Sequence, residues 1–140
     1  MSEKVSIGIL AVQGAFAEHQ AMIDGLGADT FLIRQKKDLE EAVQNGRLQG
    51  IVLPGGESTV QGKLLRDLGM SDQLKELIEA GTPVLATCAG LILLAERVSN
   101  DDRAYLKTLP VSVKRNAYGR QLGSFVTDAE ITHVGTYRMN

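Results

Sequence analysis

Residues 83–95 constrain the fold more than any other stretch. Pro83-Val84-Leu85-Ala86 is a short apolar run, Thr87-Cys88-Ala89-Gly90 is a junction of small residues, and Leu91-Ile92-Leu93-Leu94-Ala95 is an apolar helical run. A strand that passes so abruptly into a helix needs a sharp turn, and the only cysteine of the chain stands at it. This is the layout of a nucleophile elbow, which lifts one side chain above a sheet. Strand and helix backbones approach closely there, so the positions two before and two after the lifted residue must be small. Ala86 and Gly90 occupy them. The following helix would aim its free N–H groups and positive dipole end at the sulfur. The same stretch also fits a cysteine buried at a strand end, because free cysteine is among the most buried residue types.

The rest of the chain alternates in the same way. Val5 to Val12 is nearly all apolar and reads as a strand covered on both faces. Gln13-Gly14-Ala15 is a turn. A helix is expected from Phe16 to Leu26, with Phe16, Met22, Ile23 and Leu26 apolar and Gly27 as its stop. Thr30 to Ile33 reads as a second strand, Lys36 to Val43 as a short surface helix, and Gly50 to Leu53 as a third strand. Pro54-Gly55-Gly56-Glu57-Ser58 follows at the carboxyl end of that strand, where ligands of open α/β sheets bind. Ser58 and Gln61 have the spacing of a capping box, with Val60, Leu64, Leu65 and Leu68 as the buried stripe of the next helix. Ser71 is expected to cap a further helix through Leu74, Leu77 and Ile78, closed by Gly81. Later, Ser99 to Arg103 reads as a loop, Leu109 to Val113 and Leu122 to Val126 as strands, and residues 115–121 as turn-like. Alternating strands and helices with short connections imply an α/β fold with a parallel sheet.

Composition narrows the function. At 140 residues, 44% hydrophobic content and a formal charge of −2, the chain suits one soluble globular domain. It has no basic excess to suggest nucleic acid. The run from Val5 to Val12 is too short to span a membrane. One cysteine excludes an internal disulfide framework and points to a reducing compartment, the cytoplasm. Two histidines and one cysteine are too few for a usual zinc site, and neither a metal nor a cofactor is expected.

The third and fourth strands end on the same side of a parallel sheet. One offers the glycine N–H groups of Gly55-Gly56, the other a thiol. A nucleophile beside backbone donors is the arrangement acyl transfer requires, and the N–H groups of Gly56 and Ala89 are the candidate oxyanion donors. Four blocks extend this reading: Ala11-Val12-Gln13-Gly14-Ala15 with Glu18-His19; Leu53-Pro54-Gly55-Gly56-Glu57-Ser58-Thr59; Thr87-Cys88-Ala89-Gly90; and Arg115-Asn116-Ala117-Tyr118-Gly119-Arg120-Gln121 with Ser124-Phe125. In this order and spacing the chain resembles the glutaminase subunits of pyridoxal 5′-phosphate synthases, within the class I glutamine amidotransferases. The resemblance covers nearly the whole chain. It implies hydrolysis of L-glutamine to glutamate and ammonia, and delivery of the ammonia to a synthase subunit. That partner builds pyridoxal 5′-phosphate from a pentose phosphate and a triose phosphate. By matching position, Cys88 is the nucleophile, Gly56, Glu57 and Ser58 form the glutamine-binding loop, Arg115 also binds glutamine, and Gln13 lies near the partner interface.

The chain departs from the family pattern in two places. Ala86 stands where the family often has glycine, a change small enough to have little effect. The family carries its catalytic histidine and glutamate in a His-Pro-Glu motif near a longer C-terminus, and an Ile-Arg pair beyond the point reached here. Neither motif occurs in these 140 residues, since His133 is followed by Val134-Gly135. His133 reads as a surface histidine and His19 as structural or interfacial. The expected fold is therefore a single domain over residues 1–140, a flavodoxin-like three-layer sandwich lacking its last strands and closing helix. Two other functions fit parts of the pattern: an inactive module that only binds the synthase, and another cysteine hydrolase built on the same elbow.

Overall fold

Four short parallel strands form the central sheet of the computed structural model, which describes residues 4–99, 101–117 and 125–139. They are β1 (Ser6–Leu10), β2 (Asp29–Ile33), β3 (Ile51–Leu53) and β4 (Val84–Ala86), in the order β2-β1-β3-β4. This order and the helical crossovers between the strands make the flavodoxin-like α/β fold expected from the sequence. The crossovers carry α1 (Phe16–Gly25), α2 (Lys36–Gln44), α3 (Ser58–Asp67) and α4 (Ser71–Glu79), and α5 (Ala89–Leu94) leaves β4.

Register decides which residues share a face. Leu10 pairs with Ile33, Gly8 with Ile51, and Leu53 with Ala86. Leu10, Ile33, Ile51 and Leu53 point into the main core, where they meet Leu39, Leu65, Leu74 and Leu93 from α2, α3, α4 and α5. Ile7, Val52 and Leu85 lie on the opposite face. With Ile23 of α1 they border an apolar hollow of about 300 Å³. Leu85 is 54% exposed there while Val52 is buried, so this face is less covered than the core side at β4.

The helices bury different faces, and in α3 the structure revises the expected stripe and cap. Met22 and Leu26 are exposed and α1 has no fully buried residue, so its apolar residues do not form a core stripe. In α2 the buried pair is Leu39 and Ala42, with Val43 exposed. The buried face of α3 is Ser58, Gln61, Gly62 and Leu65; Val60 and Leu68 are exposed. Ser58 does not cap this helix. Glu57 does, from an extended backbone, and its carboxylate accepts the Thr59 N–H at 3.2 Å.

Two further strand pairs appear. β5 (Ala95–Val98) follows α5 directly and runs parallel to β6 (Leu109–Val113). β7 (Thr127–Ile131) and β8 (Gly135–Met139) form an antiparallel hairpin that is almost wholly exposed, with His133 in its turn. β5 and this hairpin were not foreseen. Of the strand expected at Leu122 to Val126, residues 122–124 lie outside the described residues, while Phe125 and Val126 precede β7 without strand structure. Residues 115–117 form a turn as expected, and 118–121 lie outside the described residues.

Candidate active site

The turn between β4 and α5 places Cys88 at φ +48°, ψ −106°, a strained conformation for a residue with a Cβ. Its side chain is exposed, which removes the buried-cysteine reading. Two contacts enforce the bend. The Thr87 N–H donates to the Leu53 carbonyl at 3.0 Å, and the Gly90 N–H donates to the Thr87 carbonyl at 2.8 Å. Gly90 packs so closely on β3 that a Cβ there would overlap the Leu53 carbonyl oxygen. This is the physical demand behind the small residue two positions after the cysteine.

The loop after β3 lies alongside. A Cβ built on Gly55 would stand 3.6 Å from that of Cys88. Side chains and backbone together clasp this loop to the turn after β1. The Glu57 N–H donates to Gln13 Oε1 at 3.0 Å, and the Ala15 N–H donates to the Gly55 carbonyl at 2.9 Å. Gln61, wholly buried, donates through Nε2 to the carbonyls of Gln13 at 3.1 Å and Pro54 at 3.2 Å. Gly56, at φ +154°, sits where the two turns touch; a Cβ there would lie 2.5 Å from Gln13 Oε1.

Arg115 joins the loop from the turn after β6. Its Nη2 donates to Glu57 Oε1 at 3.2 Å and its Nη1 to Asp101 Oδ2 at 3.0 Å. The guanidinium and backbone N–H of Arg103 hold the Asp101 carboxyl well below the usual carboxylate range, with Arg115 adding to the effect. His19 of α1 approaches the cysteine turn from the other side, with Nε2 3.0 Å from Thr87 Oγ1.

The fold thus gathers Gln13, Gly56, Glu57, Ser58, Cys88, Ala89 and Arg115 at the carboxyl edge of the sheet. Ser58 is buried on the inner face of α3, and Ala89 is buried at the start of α5. Gln13 acts within the cluster, as an acceptor for the Glu57 backbone. His133 belongs to the exposed hairpin turn. Sequence reasoning missed Asp101, the Gln61 clasp and the His19–Thr87 contact. The Asp101–Arg115, Gln61–Gln13 and His19–Thr87 contacts have no spacing signal, because each joins segments distant in the chain.

A thiol on a strained strand-to-helix turn of a parallel α/β sheet defines the class to which comparison with known proteins also leads. The chain belongs to the SNO glutamine amidotransferase family, which it matches over residues 9–138. It is 56% identical over 133 residues to a protein of Desulfitobacterium hafniense named "Pyridoxal 5'-phosphate synthase subunit PdxT", covering 95% of this chain and 64% of that protein. Proteins of the same name from Bifidobacterium adolescentis and Streptococcus pneumoniae are 54% and 50% identical. Those matches cover 88% and 96% of this chain, and 57% and 69% of the relatives. The chain therefore spans a little under two thirds of the length of the first of these relatives. A solved structure described as "Crystal structure of glutamine amidotransferase" superposes with a TM-score of 0.79 at 38% identity, over 94% of this chain and 68% of that one.

Proposed function

We propose that this protein is the glutaminase subunit of a pyridoxal 5′-phosphate synthase, hydrolysing L-glutamine to glutamate and ammonia and passing the ammonia to a synthase partner. The observation that carries the reading is the exposed, strained Cys88 packed beside a loop whose Glu57 pairs with Arg115 at 3.2 Å. Glutamine is a zwitterion with an amide at the far end. A neighbouring carboxylate and guanidinium are complementary to its α-ammonium and α-carboxylate, while the thiol suits attack on its amide.

In this reading the Cys88 sulfur adds to the amide carbon, and the oxyanion that forms is received by the N–H groups of Gly56 and Ala89. Collapse breaks the C–N bond, and the departing nitrogen takes a proton and leaves as ammonia. Water then hydrolyses the thioester, releasing glutamate and restoring the thiol. The proton transfers are not assigned to either histidine of these residues. Gln13, in the turn that clasps the Glu57 loop, is assigned to the side that meets the synthase. Among the described residues no helix is long and apolar enough to cross a membrane. An exposed lone thiol suits a reducing compartment, and we assign the protein to the cytoplasm.

The test uses the protein at its natural full length, with its synthase partner, and measures glutamate released from L-glutamine against an L-asparagine control. Cys88→Ala is expected to reduce release to background while leaving the thermal midpoint near that of the parent. Turnover by Cys88→Ala within about tenfold of the parent would remove the assignment.

A further inference from the structure

Asp101 lies in the connection between β5 and β6, and its sequence context assigns it no part in the reaction. Its side chain is only 13% exposed. Oδ2 accepts from Arg115 Nη1 at 3.0 Å and from Arg103 Nη2 at 2.7 Å. Oδ1 accepts from Arg103 Nε at 3.0 Å and from the Arg103 backbone N–H at 2.9 Å. The carboxylate cannot swing away without breaking several of these bonds together. The connection that carries it is itself anchored. Tyr105 lies against Gly62 of α3, where a Cβ would overlap its ring, and Leu106 is buried in the core. The N–H groups of Leu106 and Thr108 donate to the carbonyls of Leu93 and Leu94, both at 2.9 Å.

A fixed anion therefore stands on one side of Arg115, and the substrate loop stands on the other. The guanidinium is a rigid planar fork, so gripping one amino group sets the direction of the second. Isolated surface ion pairs contribute little. This pair differs because the acceptor is largely shielded and shared with a second, bidentate arginine.

We infer that Asp101 is a positioning residue: it grips Nη1 of Arg115 and so aims Nη2 at Glu57, keeping the loop and the guanidinium arranged for an amino-acid substrate. The substrate part of this inference rests on the glutaminase reading, whereas the geometric part does not. Asp101→Asn keeps the shape and removes the charge, and Asp101→Glu restores the charge on a longer arm. In the natural full-length protein with its synthase partner, Asp101→Asn is expected to raise the KM for glutamine roughly tenfold, with kcat within about twofold. Asp101→Glu should recover part of that loss. A merely structural role would lower kcat without a selective change in KM, whatever the fall in thermal midpoint. An unchanged KM in Asp101→Asn overturns the inference.

A second measurement does not depend on glutamine. The Thr59 N–H donates to Glu57 Oε1, the oxygen that also receives Arg115. Its hydrogen exchange should accelerate in Asp101→Asn while amides of β1 and β3 stay protected. If the parent protein releases no glutamate, the glutaminase reading fails, and Thr59 exchange alone decides the positioning role. Faster exchange upholds it; unchanged exchange overturns it.

Discussion

Two turns at one edge of one sheet differ in how far side chains hold them. The Cys88 turn is fixed by backbone: the Leu53 carbonyl oxygen accepts the Thr87 N–H and leaves no room for a Cβ on Gly90. The loop after β3 also meets backbone at its start, where the Ala15 N–H donates to the Gly55 carbonyl at 2.9 Å, but around Glu57 it is fixed by side chains, through Gln13, Gln61 and Arg115 at 3.0–3.2 Å. Steric contact between backbones has no adjustable part, so the position of Cys88 is all or none. Side-chain hydrogen bonds each contribute modestly and can be lost singly. A rigid carrier for the sulfur is thus set beside a loop whose order can be tuned.

The sharpest way to break this comparison is Gly90→Val. Its branched side chain meets backbone rather than a yielding side chain, so the expected loss is about 3 kcal/mol or more, read from the urea midpoint. An unchanged midpoint would mean that the turn is not held by close packing. Gln61→Leu tests the other region. It preserves volume but leaves the carbonyls of Gln13 and Pro54 without their shared donor, at a cost of about 1–3 kcal/mol. The protein should still fold, with glutamate release impaired; a stability equal to the parent would show that the clasp is dispensable.

Strain offers a finer distinction. At φ +48° a Cβ is unfavourable, so Cys88→Gly should be about 1 kcal/mol more stable than Cys88→Ala, after glycine's own entropic cost. Equal thermal midpoints would show that no strain is stored at this turn. The smallest effect concerns Asp101. Its folded-state pKa is depressed, mainly by Arg103, so its stabilising contribution is fully present above the ordinary carboxyl value of about 3.9 and is lost as pH falls toward the folded value. The stability difference between the parent and Asp101→Asn should hold from neutral pH to about 5, begin to shrink below about 4, and close only as pH approaches the depressed folded value. A difference that persists unchanged in acid would detach the effect from this carboxylate.

The two turns were also unequally legible. The cysteine turn could be read from residues 83–95 because a strand, a small-residue junction and a helix are local patterns. The first four strands and their helices were legible for the same reason. The buried face of α3 was not. Ser58, Gln61, Gly62 and Leu65 have helical spacing, but this face meets Tyr105 and the neighbouring loops as well as the aliphatic core, so hydrophobicity pointed to Val60 and Leu68 instead. The exposed β7–β8 hairpin was missed because it buries too little to impose an apolar alternation.

The sequence by itself determined where the chain bends sharply at Cys88, where glycines open the loop after β3, and that strands and helices alternate around a parallel sheet. These follow from local sterics and from the periodicity of apolar residues. Only the tertiary structure decided that Gln13 would hold the Glu57 backbone across 44 residues, that Arg115 would reach the same loop across 58, and that Asp101 would stand behind it. A polar side chain takes whichever partner the packed sheet brings within about 3 Å, and separation along the chain carries no information about that distance.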